Sequence, residues 1–220
     1  SCSTFGVGMS GSASVQASVM LHRPSREPQS MSQAKPVHSI APPPNSRADV
    51  RAQLLASIER IADVIGEHRS AAEAQRTLAP EVVTAMRGAG LFAMKSPRET
   101  GGAEIHPVDQ MAVVKAVVKL DSAAAWTMFI GATVTGRALS ALSDQAVDEL
   151  MAAPDFPIMA GSLKPSGSAT KVDDGFRISG RWAWGSGVQH ADHVIVPVLR
   201  SDQKGLITAV VPRSQVRIID

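Results

Sequence analysis

From Ala48 onward, apolar residues recur three or four positions apart. Val50, Leu54, Ile58, Ile61 and Ile65 place one stripe on a helix that otherwise carries Arg51, Glu59, Arg60 and Glu67, the pattern of a helix packed on its neighbours by one face. A second, short helix is predicted to begin near Pro80, whose fixed φ suits a first helical turn, and to stop at Gly88 to Gly90, where glycine permits a left-handed cap. Pro107 opens a third, with Met111, Val114, Val117 and Val118 as its apolar positions on the way to Leu120. A fourth runs from about Ser122 to Leu139, rich in Ala, Met, Ile and Gly, and reads as buried on most faces. Ser143 and Asp144 form an N-cap and acidic first turn for a last helix ending near Met151.

After Pro154 and Pro157 the period changes from helix to strand. Ile158 to Leu163 reads as one strand, and Ala169 to Val172 and Phe176 to Trp184 pair across the hairpin signal Asp173-Asp174-Gly175. Val194 to Leu199 and Leu206 to Val211 follow, and Val216 to Asp220 is strand-like up to the terminus, so an incomplete sheet is expected. The fold class expected is α+β: an α-helical domain over residues 47–153, then an antiparallel, barrel-like β-domain over 154–220. Residues 1–46, rich in Ser, Pro, Gly and Gln, have too little periodic apolar content to offset ordering entropy and read as a disordered leader. Met31 opens a short polar lead into the helices, so residues 1–30 are read as upstream translated sequence. Gly6-Val7-Gly8-Met9-Ser10-Gly11 matches the dinucleotide fingerprint literally, but the reading is rejected because neither a preceding strand nor a following amphipathic helix is predicted.

Composition narrows the classes. A chain of 220 residues, 44% hydrophobic with net charge +2, is able to bury one or two ordinary cores. No basic run or aromatic interleaving points to nucleic acid. The single cysteine, Cys2, lies in the leader, which excludes an internal disulfide or Cys metal cluster and fits a reducing, cytoplasmic compartment. No stretch approaches the ~20 apolar residues of a membrane span. His190 and His193 are three apart beyond a strand end, a spacing that reads as structural, so no metal site is assigned. His106 reads as a loop residue and Arg181 as an exposed sheet arginine.

Chemistry concentrates in Ile178-Ser179-Gly180-Arg181-Trp182-Ala183-Trp184-Gly185-Ser186-Gly187, followed by His190-Ala191-Asp192. In an extended chain, residues i and i+2 share a face, which would let the Trp184 indole and the Ser186 hydroxyl address one planar ligand. The bland alternative makes Trp184 core filling and Ser186 a turn residue.

The segment Ala160 to Asp192, with Gly161-Ser162-Leu163-Lys164-Pro165-Ser166-Gly167-Ser168-Ala169 and Val172-Asp173-Asp174-Gly175-Phe176-Arg177-Ile178-Ser179-Gly180-Arg181-Trp182, resembles the middle domain of the acyl-CoA dehydrogenase superfamily, and more its flavin-dependent monooxygenase branch. Leu78-Ala79-Pro80-Glu81, Met86-Arg87-Gly88-Ala89-Gly90-Leu91-Phe92, Pro97 and Gly101-Gly102 resemble its N-terminal helical domain, and Asp121-Ser122-Ala123-Ala124-Ala125-Trp126 its helix beside the substrate cavity. The resemblance implies a flavin, FAD or FMN, against Ser162, Leu163, Pro165, Ser168, Trp184 and Ser186, with Ser186 as the catalytic group near N5 and Trp126 and Ile130 on the substrate cavity. It also implies a further strand and a C-terminal helical bundle, a homo-oligomer (tetramer or dimer), a small-molecule substrate and a separate flavin reductase.

Leu163-Lys164-Pro165 and Gly167-Ser168-Ala169 stand where dehydrogenases usually carry Thr-Glu-Pro and Gly-Ser-Asp, and Ser186 where they place Thr. These departures favour oxygenation through a flavin C4a-hydroperoxide over dehydrogenation of an acyl thioester. Ala132-Thr133-Val134-Thr135 stands where several phenol hydroxylases of the branch carry a histidine, so a phenol is not secured as substrate. A non-catalytic flavin-binding or assembly module is the remaining alternative, since fold does not fix function.

Overall fold

The computed structural model describes residues 4–7, 18–20, 46–173, 175–202 and 205–219. In chain order they form β1 (Thr4–Val7), β2 (Ser18–Met20), α1 (Arg47–Gln75), α2 (Pro80–Gly88), α3 (Pro107–Leu120), α4 (Ser122–Ala141), α5 (Asp144–Met151), β3 (Met159–Gly161), β4 (Ser168–Val172), β5 (Gly175–Trp182), β6 (His193–Arg200), β7 (Leu206–Pro212) and β8 (Arg217–Ile219). Of the leader, β1 and β2 pair with sheet strands; β1 covers Gly6 and Val7 of the glycine-rich motif. The remainder of the leader reading lies outside the described residues.

Helix boundaries follow their caps. Ser46 accepts the Asp49 N–H at the start of α1, and Arg76, at φ 55°, closes its end. Ser143 accepts the Ala146 N–H at α5, as its sequence predicts. The helical core gathers Val50, Leu54, Ile58 and Ile65 of α1 against Met86, Leu91, Phe92, Met94, Val113, Val117 and Met128. Gly131 lets α4 lie on the Phe92 ring, because a Cβ there would stand 2.8 Å from its Cδ1.

The third helix departs from its expected stripe. Met111 and Val118 are exposed, and the buried face carries Asp109, Gln110, Val113 and Val117. Asp109 is accommodated inside because the Arg47 and Arg51 guanidiniums of α1 pair with it. These cations hold its carboxyl below the ordinary carboxylate range.

The sheet has the order β2-β7-β6-β4-β5-β1-β8, with β3 also on β6. It is mixed, which corrects the antiparallel expectation: β3 and β4 both run parallel to β6. Residues 159–169 form in effect one interrupted strand along β6, Met159 opposite His193 and Ser168 opposite Leu199, with residues 162–167 bulging between. Alternating side chains report which face is buried but not which way a neighbour runs, so the period could not supply this.

Two polar clamps join sheet to helices. Thr135, fully buried on α4, accepts the Met159 N–H at 2.9 Å. Asp192 accepts from Arg87 Nη2 at 3.1 and 2.9 Å and from the Ile158 N–H at 2.8 Å.

Candidate functional site

The site is built where β5 ends. Trp182, 1% exposed, is the aromatic that fills the sheet core, and its indole N–H donates to the Pro197 carbonyl at 3.1 Å. Gly180 presses on it so closely that a Cβ would come within 2.7 Å of the ring. The strand stops there, two residues earlier than its pattern suggests. Trp184 follows at φ 66° and is 72% exposed.

The left-handed turn at Trp184 overturns the extended geometry from which a shared Trp184–Ser186 face was expected. Trp184 stands outward from the sheet, and Ser186 lies in the turn beyond it. A bulky residue at positive φ is uncommon and costs about 1–2 kcal/mol. Such strain concentrates at functional sites.

The bulge at 162–167 lies beside this exit. Ser166 donates its hydroxyl to the Arg181 carbonyl at 2.8 Å and its N–H to the Pro197 carbonyl at 3.2 Å. Leu163, 81% exposed, and Pro165, also exposed, therefore stand near this end of the sheet, whereas Ser168, exposed as well, lies farther along, at the start of β4 opposite Ser179. Ser162 is different: it is buried, and its hydroxyl oxygen accepts the Lys164 N–H at 3.2 Å, holding the bulge from inside.

A groove of about 410 Å³ runs from the end of α1 to the start of α4 and the loop after Trp184. Trp126 and Thr127 form one wall, Gly185, Gly187 and Val188 another, and Thr77 and His190 line it as well. Trp126 is 55% exposed, with its ring centroid 6.0 Å from that of Phe129. The structure thus brings Trp126 to the Ser186 loop, while Ile130, half-buried one turn on, does not line the groove.

A second groove of about 510 Å³ lies on the α2 side, against Pro80, Val83, Arg87, Pro154 and Phe156. His190 and Gln189 line both. His190 Nε2 stands 3.3 Å from Thr77 Oγ1, and burial lowers its pKa. Burial also lowers that of His193, opposed by the neighbouring Asp192 charge. Among the described residues no group of three or more His, Cys, Asp or Glu is arranged to hold a metal, and no helix is long and apolar enough to cross a membrane. His106 caps α3, its Nδ1 accepting the Val108 N–H at 3.2 Å.

Sequence reasoning missed two parts. Asp192 clamps α2 to the sheet; its signal is a carboxylate placed immediately before a buried strand. His190 carried no local signal, since its partner Thr77 is 113 residues away.

Residues 50–150 match the acyl-CoA dehydrogenase N-terminal domain. The chain is 31% identical over 147 residues to an indole-3-acetate monooxygenase of Pseudomonas putida, covering 66% of this chain and 37% of that protein. It is 26% identical over 170 residues to the flavin-dependent monooxygenase, oxygenase subunit HsaA, of Mycobacterium tuberculosis, covering 76% and 43%. Its fold matches that of XiaF from Streptomyces sp. in complex with FADH2 and glycerol, with a TM-score of 0.68 at 21% identity over 76% of this chain and 43% of the other. The chain spans less than half the length of these relatives. Residues 50–150 thus carry the acyl-CoA dehydrogenase N-terminal domain, and the chain as a whole resembles flavin-dependent monooxygenases built on that superfamily's fold.

Proposed function

We propose that this chain is the helical and sheet portion of an oxygenase component that works on a small molecule with reduced flavin, FAD or FMN, and molecular oxygen. The observation that carries the reading is the end of the sheet where the 162–167 bulge is pinned to the exit of β5. That end carries the exposed Leu163 and Pro165 and the exposed, strained Trp184, with the turn holding Ser186 just beyond it. Exposed apolar plates beside a hydroxyl-bearing turn, with Lys164 and Arg181 as the neighbouring charges, fit a flat, largely apolar ring with polar edges. The names of the monooxygenase relatives and the FADH2 complex of the structural relative support the same choice.

A bound reduced flavin supplies the two electrons that activate oxygen. The chain's own residues do the rest. With a flavin bound, Trp184 would wall the ring, and the turn that carries Ser186 would lie beside it. Leu163 and Pro165, both exposed, would be covered by the ring and would shield it from water. Trp126 and Thr127 receive the substrate in the adjoining groove, and residues 47–153 and 154–220 act as the two domains on either side. A separate reductase supplies the flavin, and the protein works as a cytoplasmic homo-oligomer.

The test is anaerobic titration of the full-length protein with FADH2 and with FMNH2, then rapid mixing with oxygenated buffer. Micromolar binding and a transient spectrum unlike either free flavin are expected. A complex that bleaches oxidised flavin on addition of acyl-CoA esters, and reacts slowly with oxygen, would make the protein a dehydrogenase. Failure to bind either flavin would leave the non-catalytic module.

A further inference from the structure

His190 occupies an unusual place: it forms part of the wall between two grooves. One is the groove of about 410 Å³ that holds Trp126 and the Ser186 loop; the other is the more open groove of about 510 Å³ on α2. We propose that His190 is the proton-transfer residue of the inner groove, carrying a proton between an O–H or N–H group bound against Trp126 and water in the outer groove. The proposal rests on the reading of the inner groove as the substrate side.

Three observations lead to it. First, among the described residues lining the inner groove the ionisable side chains are Arg69, Glu73, Arg76, Asp121 and His190. Asp121 is committed to capping α4, its Oδ1 accepting the Ala124 N–H at 2.6 Å, and its Oδ2 lies 4.0 Å from Arg69 Nε. His190 is the one whose ordinary titration lies near neutrality, and an imidazole binds a proton on one nitrogen while releasing one from the other. Second, Thr77 Oγ1 lies 3.3 Å from Nε2, and a hydroxyl both donates and accepts, so it extends the path along the α1 wall. Third, burial favours the neutral ring, which leaves it ready to accept.

The charges around it come from every side. Arg69, Glu73 and Arg76 stand on the α1 wall and Asp121 at the start of α4. Arg87 and Asp155 line the outer groove, where Asp192 and His193 follow on His190's own segment. Arg87 is held by Asp192 and lies 3.6 Å from Asp155. In the transfer the donor's O–H or N–H bond breaks and its electron pair stays on that atom. A new N–H bond forms on the imidazole, and the proton on the opposite nitrogen passes to water. The ring ends neutral with its tautomer exchanged, its new N–H donating to the anion left behind and so favouring that anion, and no oxidant is consumed.

The test uses 4-nitrophenol, whose yellow phenolate reports its own ionisation near neutrality, bound to the full-length protein without flavin and titrated with pH. Wild type is expected to bind it and to lower its ionisation midpoint by at least half a pH unit, a threefold shift in the equilibrium. His190→Gln should bind it within threefold, keep the thermal midpoint, and return the ionisation to that of the free phenol. Thr77→Val should give an intermediate shift, and Trp126→Ala should weaken binding itself. Equal midpoints in wild type and His190→Gln, or no binding by wild type at millimolar probe, overturn the proposal. If the shift depends on His190 but neither flavin binds, the oxygenase reading falls and the proton path stands. If flavin binds and the midpoint never moves, the reverse holds.

Discussion

Removing the Asp192 carboxylate tests how the helices and sheet are held together. In Asp192→Ala the N–H of Ile158, a residue 1% exposed, loses its acceptor at 2.8 Å. An orphaned buried donor costs about 1–3 kcal/mol. The Arg87 pair also disappears, but the Asp192 side chain is 39% exposed and Arg87 retains Asp155 at 3.6 Å, so solvent screening limits this loss to about 0.5–1 kcal/mol. The total is about 1.5–4 kcal/mol, a fall in thermal midpoint of about 3–16 °C for a chain of this size. Asp192→Asn keeps an oxygen for the Ile158 N–H and surrenders only the charge, so it should cost about 1 kcal/mol or less. Urea unfolding of both variants and of Arg87→Met, with the double variant to complete the cycle, separates the two contributions. If Asp192→Ala costs no more than Asp192→Asn, or less than about 0.5 kcal/mol, the Ile158 hydrogen bond is not what makes the clamp, and the reasoning fails.

Trp182→Phe removes the N–H donated to the Pro197 carbonyl and part of a buried ring; it should cost about 2–4 kcal/mol in denaturant unfolding, and a near-neutral result would contradict its place in the sheet core. Trp184→Gly should leave stability within about 0.5 kcal/mol, because relief at φ 66° offsets glycine's larger entropy loss. The same variant should weaken reduced-flavin binding about tenfold or more by fluorescence titration, and unchanged binding would remove Trp184 from the flavin wall. For Asp109 the folded carboxyl titrates below its unfolded value, so its contribution is complete above the ordinary carboxylate range and is lost as pH falls through the lowered value. Asp109→Asn should flatten that acid limb when urea midpoints are followed from neutrality into acid, and an unchanged limb would mean that the Arg47 and Arg51 pairs do not couple to folding.

Local rules carried far along this chain, and they stopped where distant segments had to meet. The helices of residues 47–151 were legible because their caps and period act within a turn: Pro80 opens α2, Ser143 caps α5, and Val50, Leu54, Ile58 and Ile65 bury one face. The strands from β3 to β8 were legible too, with their hairpin, because alternation is equally local, whereas β1 and β2, in the segment read as a disordered leader, were not. The buried face of α3 was not, since Asp109 belongs inside only when Arg47 and Arg51, about 60 residues earlier, neutralise it. Strand direction likewise depends on how β3 and β4 return along β6. The motif around Trp184 marks the exit of β5, but only the packed sheet decided that Trp182 goes inward and Trp184 turns outward at positive φ. The groove that joins Trp126 to His190 is likewise tertiary, because it exists only once the end of α1, the start of α4 and the loop after β5 pack together. The sequence by itself thus determined the elements and the chemistry they carry, through interactions spanning a few residues; the tertiary structure decided faces, strand directions and the groove, because charge pairing and close packing act between atoms that only folding brings together.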